Sequence, residues 1–256
     1  MCLLFFALNN HPQYRFILAA NRDEFYERPT QEASFWEDSP DILAGRDLQA
    51  GGTWLGITRQ GRIAAITNYR DPTSINPAAP SRGMLGSDFL QGEAKASEYL
   101  KTLIEGGQRY NGFNLIFGKI DQLYWYCNRG GSPRKLEQAN YALSNDLLDT
   151  PWPKVQRIKK GMQNILQNQG EIDIEEVFSV LKDKHIADDS SLPDTKVGLE
   201  KERMLSPIFI TIPDYGTRSS TVILIDRKGH VVFQERTFNS APEHIGLVEY
   251  EFRISN

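Results

Sequence analysis

The chain has 256 residues, of which 40% are hydrophobic and 24% charged, and its formal net charge is −4. It has no run of basic residues and no apolar stretch of the roughly 18 residues that span a bilayer, which disfavours a nucleic-acid partner and a transmembrane segment. Its two cysteines, Cys2 and Cys127, provide no disulfide framework, and the N-terminus lacks the features of a secretory signal. We therefore expect a cytoplasmic globular protein.

The four histidines are scattered along the chain, at positions 11, 185, 230 and 244. None has another histidine or a cysteine at the spacing typical of a structural zinc site. We therefore expect surface or loop histidines and no metal centre.

Two apolar runs at the start of the chain predict a β-hairpin. Residues 3–8 and 16–20 are apolar, and the turn-forming residues 9–12 separate them. The second run leads directly into Asn21-Arg22-Asp23-Glu24. If the two strands pair, Cys2 lies beside this polar group.

The placement of Cys2 predicts a nucleophile. If Met1 is removed, Cys2 carries a free α-amino group with a pKa of roughly 7.7–8.0, which can accept the proton of its own thiol. Asn21 is then a candidate oxyanion donor, and Asp23 a candidate for holding the α-ammonium group or orienting the substrate. The simpler alternative is that Cys2 begins a core strand and that the polar group is a solvated turn.

A second polar group follows another predicted strand. Residues 30–51 are polar and turn-rich and predict a long excursion without regular structure. Residues 51–58 and 63–67 then predict two strands, and the second leads into Asn68-Tyr69-Arg70. If this strand neighbours the one that ends at Asn21, the two strand ends form the floor of one pocket.

The rest of the chain alternates between helical and strand patterns. Residues 72–81 predict a loop, and residues 183–206 a loop or lid. Helices are predicted near 84–90, 95–104, 151–165 and 174–182, and strands near 110–118, 123–127, 141–145, 207–212, 219–226, 231–238 and 247–253. Strands that flank segregated helices favour an α+β fold with two antiparallel sheets, formed as one domain.

Several short motifs occur together along the whole length. They are Met1-Cys2, Asn21-Arg22-Asp23-Glu24, Gly51-Gly52-Thr53-Trp54, Thr67-Asn68-Tyr69, Tyr110-Asn111-Gly112-Phe113-Asn114, Leu143-Ser144-Asn145 and Tyr215-Gly216-Thr217-Arg218. In this combination the chain resembles the NRDE family, which is the family of the transport and Golgi organisation protein 2. The resemblance implies one N-terminal-nucleophile aminohydrolase-like domain over residues 1–256, a four-layer αββα sandwich with two antiparallel sheets between helical layers.

That family is in turn similar to the penicillin V and bile salt acylases, which cleave amides with an N-terminal cysteine. Asp23 matches the aspartate of the acylase pattern, whereas the acylase arginine falls on Ala20, and an arginine stands at Arg22 instead. Asn145 and Arg218 are the counterparts of a later asparagine and arginine. The catalytic set that this implies is Cys2, Asn21, Asp23, Asn68 and Asn145.

The resemblance also implies the handling of haem or of acyl-coenzyme A, with haem as a bound ligand and no required cofactor. A carrier needs an apolar pocket with a few polar anchors, and arginine forks suit carboxylates and phosphates. The predicted ligand-binding residues are Arg22, Glu24, Trp54, Tyr69, Arg70, Arg82, Asn111, Asn114 and Arg218, with Tyr110 and Phe113 as further aromatic neighbours. The alternative is that the aromatic residues are core and the arginines are solvated.

Three functions stay open at this point. The first is binding or trafficking of haem or acyl-coenzyme A. The second is amide or thioester hydrolysis by Cys2, and the third is a structural interaction protein.

Overall fold

The computed structural model describes residues 2–240 and 244–255, with Cys2 and His244 described at the backbone alone. These residues divide into two units, each built on one seven-stranded sheet. The first unit holds the described residues of 1–27, 138–144 and 148–251, and the second those of 28–137, 145–147 and 252–256. Antiparallel strand pairs with accompanying helices confirm the predicted α+β class with two antiparallel sheets. The expectation of one domain stays a prediction.

The elements have the following bounds. The strands are β1 (Cys2–Leu8), β2 (Tyr14–Phe25), β3 (Thr30–Trp36), β4 (Ser39–Asp47), β5 (Leu55–Thr58), β6 (Arg62–Asn68), β7 (Phe113–Lys119), β8 (Gln122–Cys127), β9 (Arg134–Lys135), β10 (Ala139–Leu143), β11 (Thr211–Ile212), β12 (Tyr215–Asp226), β13 (His230–Phe238) and β14 (His244–Arg253). The α-helices are α1 (Gly83–Gln91), α2 (Ala96–Gly106), α3 (Pro153–Gln167), α4 (Ile174–Leu181) and α5 (Leu199–Leu205). Single 3-10 turns cover Pro72–Ser74, Gly107–Arg109 and Asp189–Ser191.

The sheet of the first unit has the strand order β10-β1-β2-β12-β13-β14, and β11 pairs with β12. β1 and β2 form the predicted hairpin. Helices α3 and α4 pack on one face of this sheet, because their apolar residues recur at helical spacing and form a stripe. The predicted stripe of α3 is buried there, and its members are Val155, Ile158, Met162 and Ile165.

The sheet of the second unit runs in sequence order, β3-β4-β5-β6-β7-β8-β9. Helices α1 and α2 cover one of its faces, and Phe89 of α1 packs against Phe117 of β7 with ring centroids 5.3 Å apart. The opposite side of β6, formed by alternating residues such as Ile63 and Ala65, is also buried. Among the described residues, no helix combines the length and the apolar character needed to cross a membrane.

Four sequence-based expectations about the elements are wrong in whole or in part, each for a physical reason. The strand predicted over 51–58 begins only at Leu55, because the Thr53 backbone N–H donates to the carbonyl of Gly83 at the start of α1. Residues 30–51 contain β3 and β4, which the sequence hides because β3 begins with the polar residues Thr30, Gln31 and Glu32, of which the last two are exposed. The loop predicted over 183–206 contains α5. Of the strand predicted over 207–212 only Thr211–Ile212 pairs, because the apolar residues before it are buried core rather than sheet.

Candidate functional site

The N-terminal strand ends beside the first polar group. In the antiparallel register, Cys2 stands opposite Arg22, and Arg22 stands opposite Ser219 on β12. This confirms the predicted proximity of the Cys2 backbone to the Asn21-Asp23 segment. Met1 and the Cys2 side chain lie outside the described residues, so the thiol as nucleophile stays a prediction.

Asn21 is held by three hydrogen bonds. Its amide group donates to the carbonyl of Leu181 at 2.8 Å and to the carbonyl of Ile208 at 2.9 Å, and its amide oxygen accepts from the Ser220 hydroxyl at 2.6 Å. Leu181 ends α4, so Asn21 satisfies a carbonyl that the helix itself leaves unpaired. Both amide hydrogens are therefore bonded to backbone carbonyls. The oxyanion role of Asn21 stays a prediction that this geometry does not favour.

Asp23 is buried and bonded to β12. Its carboxylate accepts a hydrogen bond of 2.7 Å from the Thr217 hydroxyl, and its backbone carbonyl accepts one of 2.9 Å from the Tyr215 hydroxyl. Because side chains alternate between the two faces of a strand, Asp23 shares a face with Asn21, and Arg22 points to the other face.

Arg218 occupies a bulge in β12. The register passes from Thr217 opposite Asp23 to Ser219 opposite Arg22, which leaves Arg218 as the extra residue. Its guanidinium donates to the backbone carbonyls of residues 25 and 26, at 2.8 and 2.9 Å. The bulge thus directs a half-buried arginine toward the end of β2.

Arg218 and Arg22 are electrostatic neighbours. Burial, and then the positive charge of Arg22, lower the pKa of the Arg218 guanidinium, whereas the Glu24 carboxylate and Tyr26 raise it. Glu24 itself accepts a hydrogen bond of 2.9 Å from the next backbone N–H. Two guanidinium groups therefore lie near each other at one strand end, and that of Arg22 belongs to a residue only 5% exposed.

In the second unit, Asn68 and Asn145 meet. The Asn145 amide donates to the Asn68 carbonyl at 2.8 Å, and the Arg70 backbone N–H donates to the Asn145 carbonyl at 2.7 Å. Asn145 is 1% exposed, which buries its amide group beside the end of β6. Their catalytic roles stay predictions.

Tyr69 and Arg82 surround the same strand end. Burial raises the pKa of the Tyr69 hydroxyl, and the Asp146 carboxylate, which accepts its hydrogen bond, raises the pKa further. The backbone carbonyl of Gly112 accepts from the Tyr69 backbone N–H at 2.9 Å and from the Arg82 guanidinium at 3.1 Å. Arg70, whose backbone N–H bonds to Asn145, is half-buried.

Asn111 and Asn114 hold backbone segments in place. Asn114 is fully buried, donates to the Thr67 hydroxyl at 3.3 Å and the Asp146 carbonyl at 3.0 Å, and accepts from the Trp125 indole at 3.1 Å. Asn111 pairs with both backbone groups of Asn76 in the loop that follows β6. These contacts give the two side chains structural partners, and their contact with a ligand stays a prediction.

Most of the predicted aromatic lining belongs to the helix-packed core of the second unit. Phe113 is fully buried in that core, and Trp54 and Tyr110 pack against it. The Trp54 ring also covers Gly45 so closely that a Cβ there would lie 2.2 Å from the ring. For these three residues the core interpretation accounts for their positions.

The two polar strand ends are not on adjacent strands, which corrects the sequence interpretation. β2 lies between β1 and β12, whereas β6 lies between β5 and β7 in the other sheet. The strand pattern alone therefore does not bring Asn21 and Asn68 together. Sequence reasoning also missed Ser219 and Asp146, for which the only signal is that each directly follows a predicted site residue.

Comparison with known proteins gives consistent results. The family model described as Transport and Golgi organisation 2 matches residues 1–240. Transport and Golgi organization protein 2 homologs from Bos taurus and Homo sapiens are 38% and 37% identical to the chain, each over the full length of both proteins. The crystal structure of the C2A mutant of conjugated bile acid hydrolase from Clostridium perfringens superposes with a TM-score of 0.51 at 9% identity, covering 100% of this chain and 98% of that one. This likeness confirms the N-terminal-nucleophile hydrolase-like fold.

Proposed function

The chain belongs to the Transport and Golgi organisation 2 family, and on this premise we propose that it binds a partly apolar, anionic metabolite in the cytoplasm. The ligand is acyl-coenzyme A or haem, carried as cargo, and Arg22 and Arg218 hold its anionic group. The names of the relatives refer to transport, which agrees with a carrier.

The pair formed by Arg22 and Arg218 is the observation that carries this proposal. The two guanidinium groups repel each other where burial reduces the screening by water, and the Glu24 carboxylate offsets part of this repulsion. An oxyanion between them removes the repulsion and accepts charge-assisted hydrogen bonds from both. The phosphates of coenzyme A and the propionates of haem are oxyanions of this kind.

Arg218→Gln tests the proposal directly. We expect the dissociation constants for palmitoyl-coenzyme A and for haemin to rise by about 10- to 100-fold, because a hydrogen bond to a charged group contributes about 1.5–3 kcal/mol. Isothermal titration calorimetry measures the first constant, and the change in haemin absorbance measures the second.

Arg227→Gln is the matched control. Arg227 follows the other end of β12, and its guanidinium also donates to two successive backbone carbonyls, those of His11 and Pro12. We expect this variant to bind both probes as the wild type does. Unchanged binding by Arg218→Gln, or an equal loss in both variants, would contradict the arginine site.

The second candidate is amide or thioester hydrolysis by Cys2, supported by the register that pairs Cys2 with Arg22 and by the fold. In this reaction the thiol sulfur bonds to the acyl carbon, and the thiol proton passes through the α-amine to the leaving amine or thiolate. Asp23, which lies in the same unit as Cys2, positions the amine, and a hydrogen-bond donor near the end of β2 stabilises the oxyanion. Water then attacks the acyl-enzyme, which releases the carboxylic acid and restores the thiol.

The intact mass of the purified protein and two cysteine variants test this candidate. Retention of Met1 in protein purified without an N-terminal tag would exclude the free amine. If Met1 is removed, we expect Cys2→Ser to lose most turnover of palmitoyl-coenzyme A, while Cys127→Ala, which changes a buried thiol elsewhere, retains it. Equal turnover in Cys2→Ser and the wild type would remove Cys2 from the mechanism.

A further inference from the structure

Ser219 and Ser220 are neighbours on β12 that point to opposite faces of the first sheet. The register pairs Ser219 with Arg22 and Ser220 with Asn21, and directly opposed residues on paired strands share a face. The hydrogen bond of 2.6 Å between Ser220 and Asn21 agrees with this assignment. Asn21 faces the end of α4, so Ser219 and Arg22 lie on the face away from that helix.

The Ser219 hydroxyl differs from the other hydroxyls of this strand. Ser219 is 3% exposed, and within the part of the chain that the structure describes its Oγ is buried with no hydrogen-bond partner. The hydroxyls of Thr217, Ser220 and Thr221 donate to Asp23, Asn21 and Glu235 respectively. Burying a hydroxyl without a hydrogen-bond partner lowers the free energy of unfolding, and an alanine at this position would avoid that loss. The stability of the fold therefore gives no reason for a serine at position 219.

Ser219 lies beside both arginines of the proposed site. It is paired with Arg22 on the neighbouring strand β2, and it directly follows Arg218, the extra residue of the bulge. We propose that Ser219 is a ligand-contacting residue, and that its hydroxyl donates a hydrogen bond to the oxyanion held by these two arginines. The inference rests on the proposed function, and it assigns the oxyanion a neutral donor in addition to two charged ones.

Ser219→Ala tests the inference through two independent readouts. We expect about tenfold weaker binding of the oxyanion probe, measured in parallel with palmitoyl-coenzyme A, which presents phosphates, and haemin, which presents carboxylates. The probe that weakens identifies the source of the oxyanion. We expect a melting temperature equal to or above that of the wild type, because the wild-type hydroxyl lacks a protein partner.

Ser220→Ala is the matched stability control. It removes a buried hydroxyl that bonds to Asn21, and we expect its melting temperature to fall by about 2–4 °C. An equal fall in Ser219→Ala would overturn the inference, because the Ser219 hydroxyl would then be structural.

The failure of the inference and the failure of the proposed function give different results. If Arg218→Gln weakens binding and Ser219→Ala binds both probes like the wild type, the Ser219 inference is wrong and the arginine site stands. If the wild type binds neither probe, or Arg218→Gln binds both unchanged, the proposed function is wrong and the inference is overturned with it.

Discussion

The side-chain amide of Asn145 donates a hydrogen bond of 2.8 Å to the backbone carbonyl of Asn68, the last residue of β6. The Asn145 carbonyl in turn accepts from the backbone N–H of Arg70 at 2.7 Å. These two bonds attach the segment after β10 to the strand end that carries Tyr69 and Arg70. Asn145, which the sequence nominates for chemistry, therefore holds the backbone at the end of β6.

Asn145→Ala should destabilise the protein by about 0.5–1.5 kcal/mol, because it removes the hydrogen bond from the buried Asn145 amide to the carbonyl of the half-buried Asn68. Urea unfolding, with the midpoint and the m-value fitted separately, measures the change. Asn140→Ala is the control, since Asn140 is half-exposed and its amide oxygen bonds to the exposed Asn10. Equal stabilities of the two variants would show that the bond to Asn68 contributes nothing.

Asn21→Ala should cost about 3–5 kcal/mol, because three buried hydrogen bonds are lost together. Asn10→Ala, which removes an exposed asparagine, should change the free energy of unfolding by less than about 0.5 kcal/mol. Chemical denaturation of both variants makes the comparison. A small loss of unfolding free energy in Asn21→Ala would mean that water replaces these contacts without cost. The Asn21 amide would then again be a candidate donor to the oxyanion.

Alanine substitutions at two helix glycines should change the free energy of unfolding in opposite directions. Gly86→Ala in α1 should stabilise the protein by about 0.5–1 kcal/mol, because alanine favours a helix and the nearest atom to the new Cβ is 3.5 Å away. Gly161→Ala in α3 places its Cβ 2.8 Å from a methyl group of Val180 on α4 and should destabilise by about 1–2 kcal/mol. Unfolding free energies of the pair measure the difference. Similar stabilisation by both would show that α3 and α4 separate easily.

The ionisation of Tyr99 makes the stability of the protein depend on pH in the alkaline range. Burial, followed by the charge of Asp88 and by Tyr110, raises the pKa of its hydroxyl far above the ordinary value. The folded state therefore holds this proton more tightly than the unfolded chain, so the stabilisation is complete below about pH 10 and is lost as the pH rises toward the folded-state pKa.

Tyr99→Phe should lose about 1 kcal/mol near pH 8, because the hydroxyl donates to the Leu85 carbonyl at 2.8 Å. Above about pH 10 its stability should fall less steeply than that of the wild type, since one proton no longer links folding to pH. Unfolding free energies between about pH 8 and 12 test this, together with phenolate absorbance. Parallel curves for the two proteins would place the linked proton on another group.

Local pattern predicted much of the fold. The apolar stripe of α3 and the alternation around the first hairpin are short-range signals, and both elements lie where the sequence places them. The same signals placed polar groups at the ends of β2 and β6. They failed for the edge strand β3, which begins with polar residues, and for the residues before β11, which are buried in the core but do not pair in the sheet.

The sequence by itself determined the family, the α+β class and the residue types at the two strand ends, because periodicity and short motifs are local properties of the chain. Only the tertiary structure decided which of those residues are already bonded. The partners of Asn21 lie 160, 187 and 199 positions away in the chain, and the sheet register alone brings Ser219 beside Arg22. Contacts at such separations follow from helix packing, strand order and register, which no local pattern encodes.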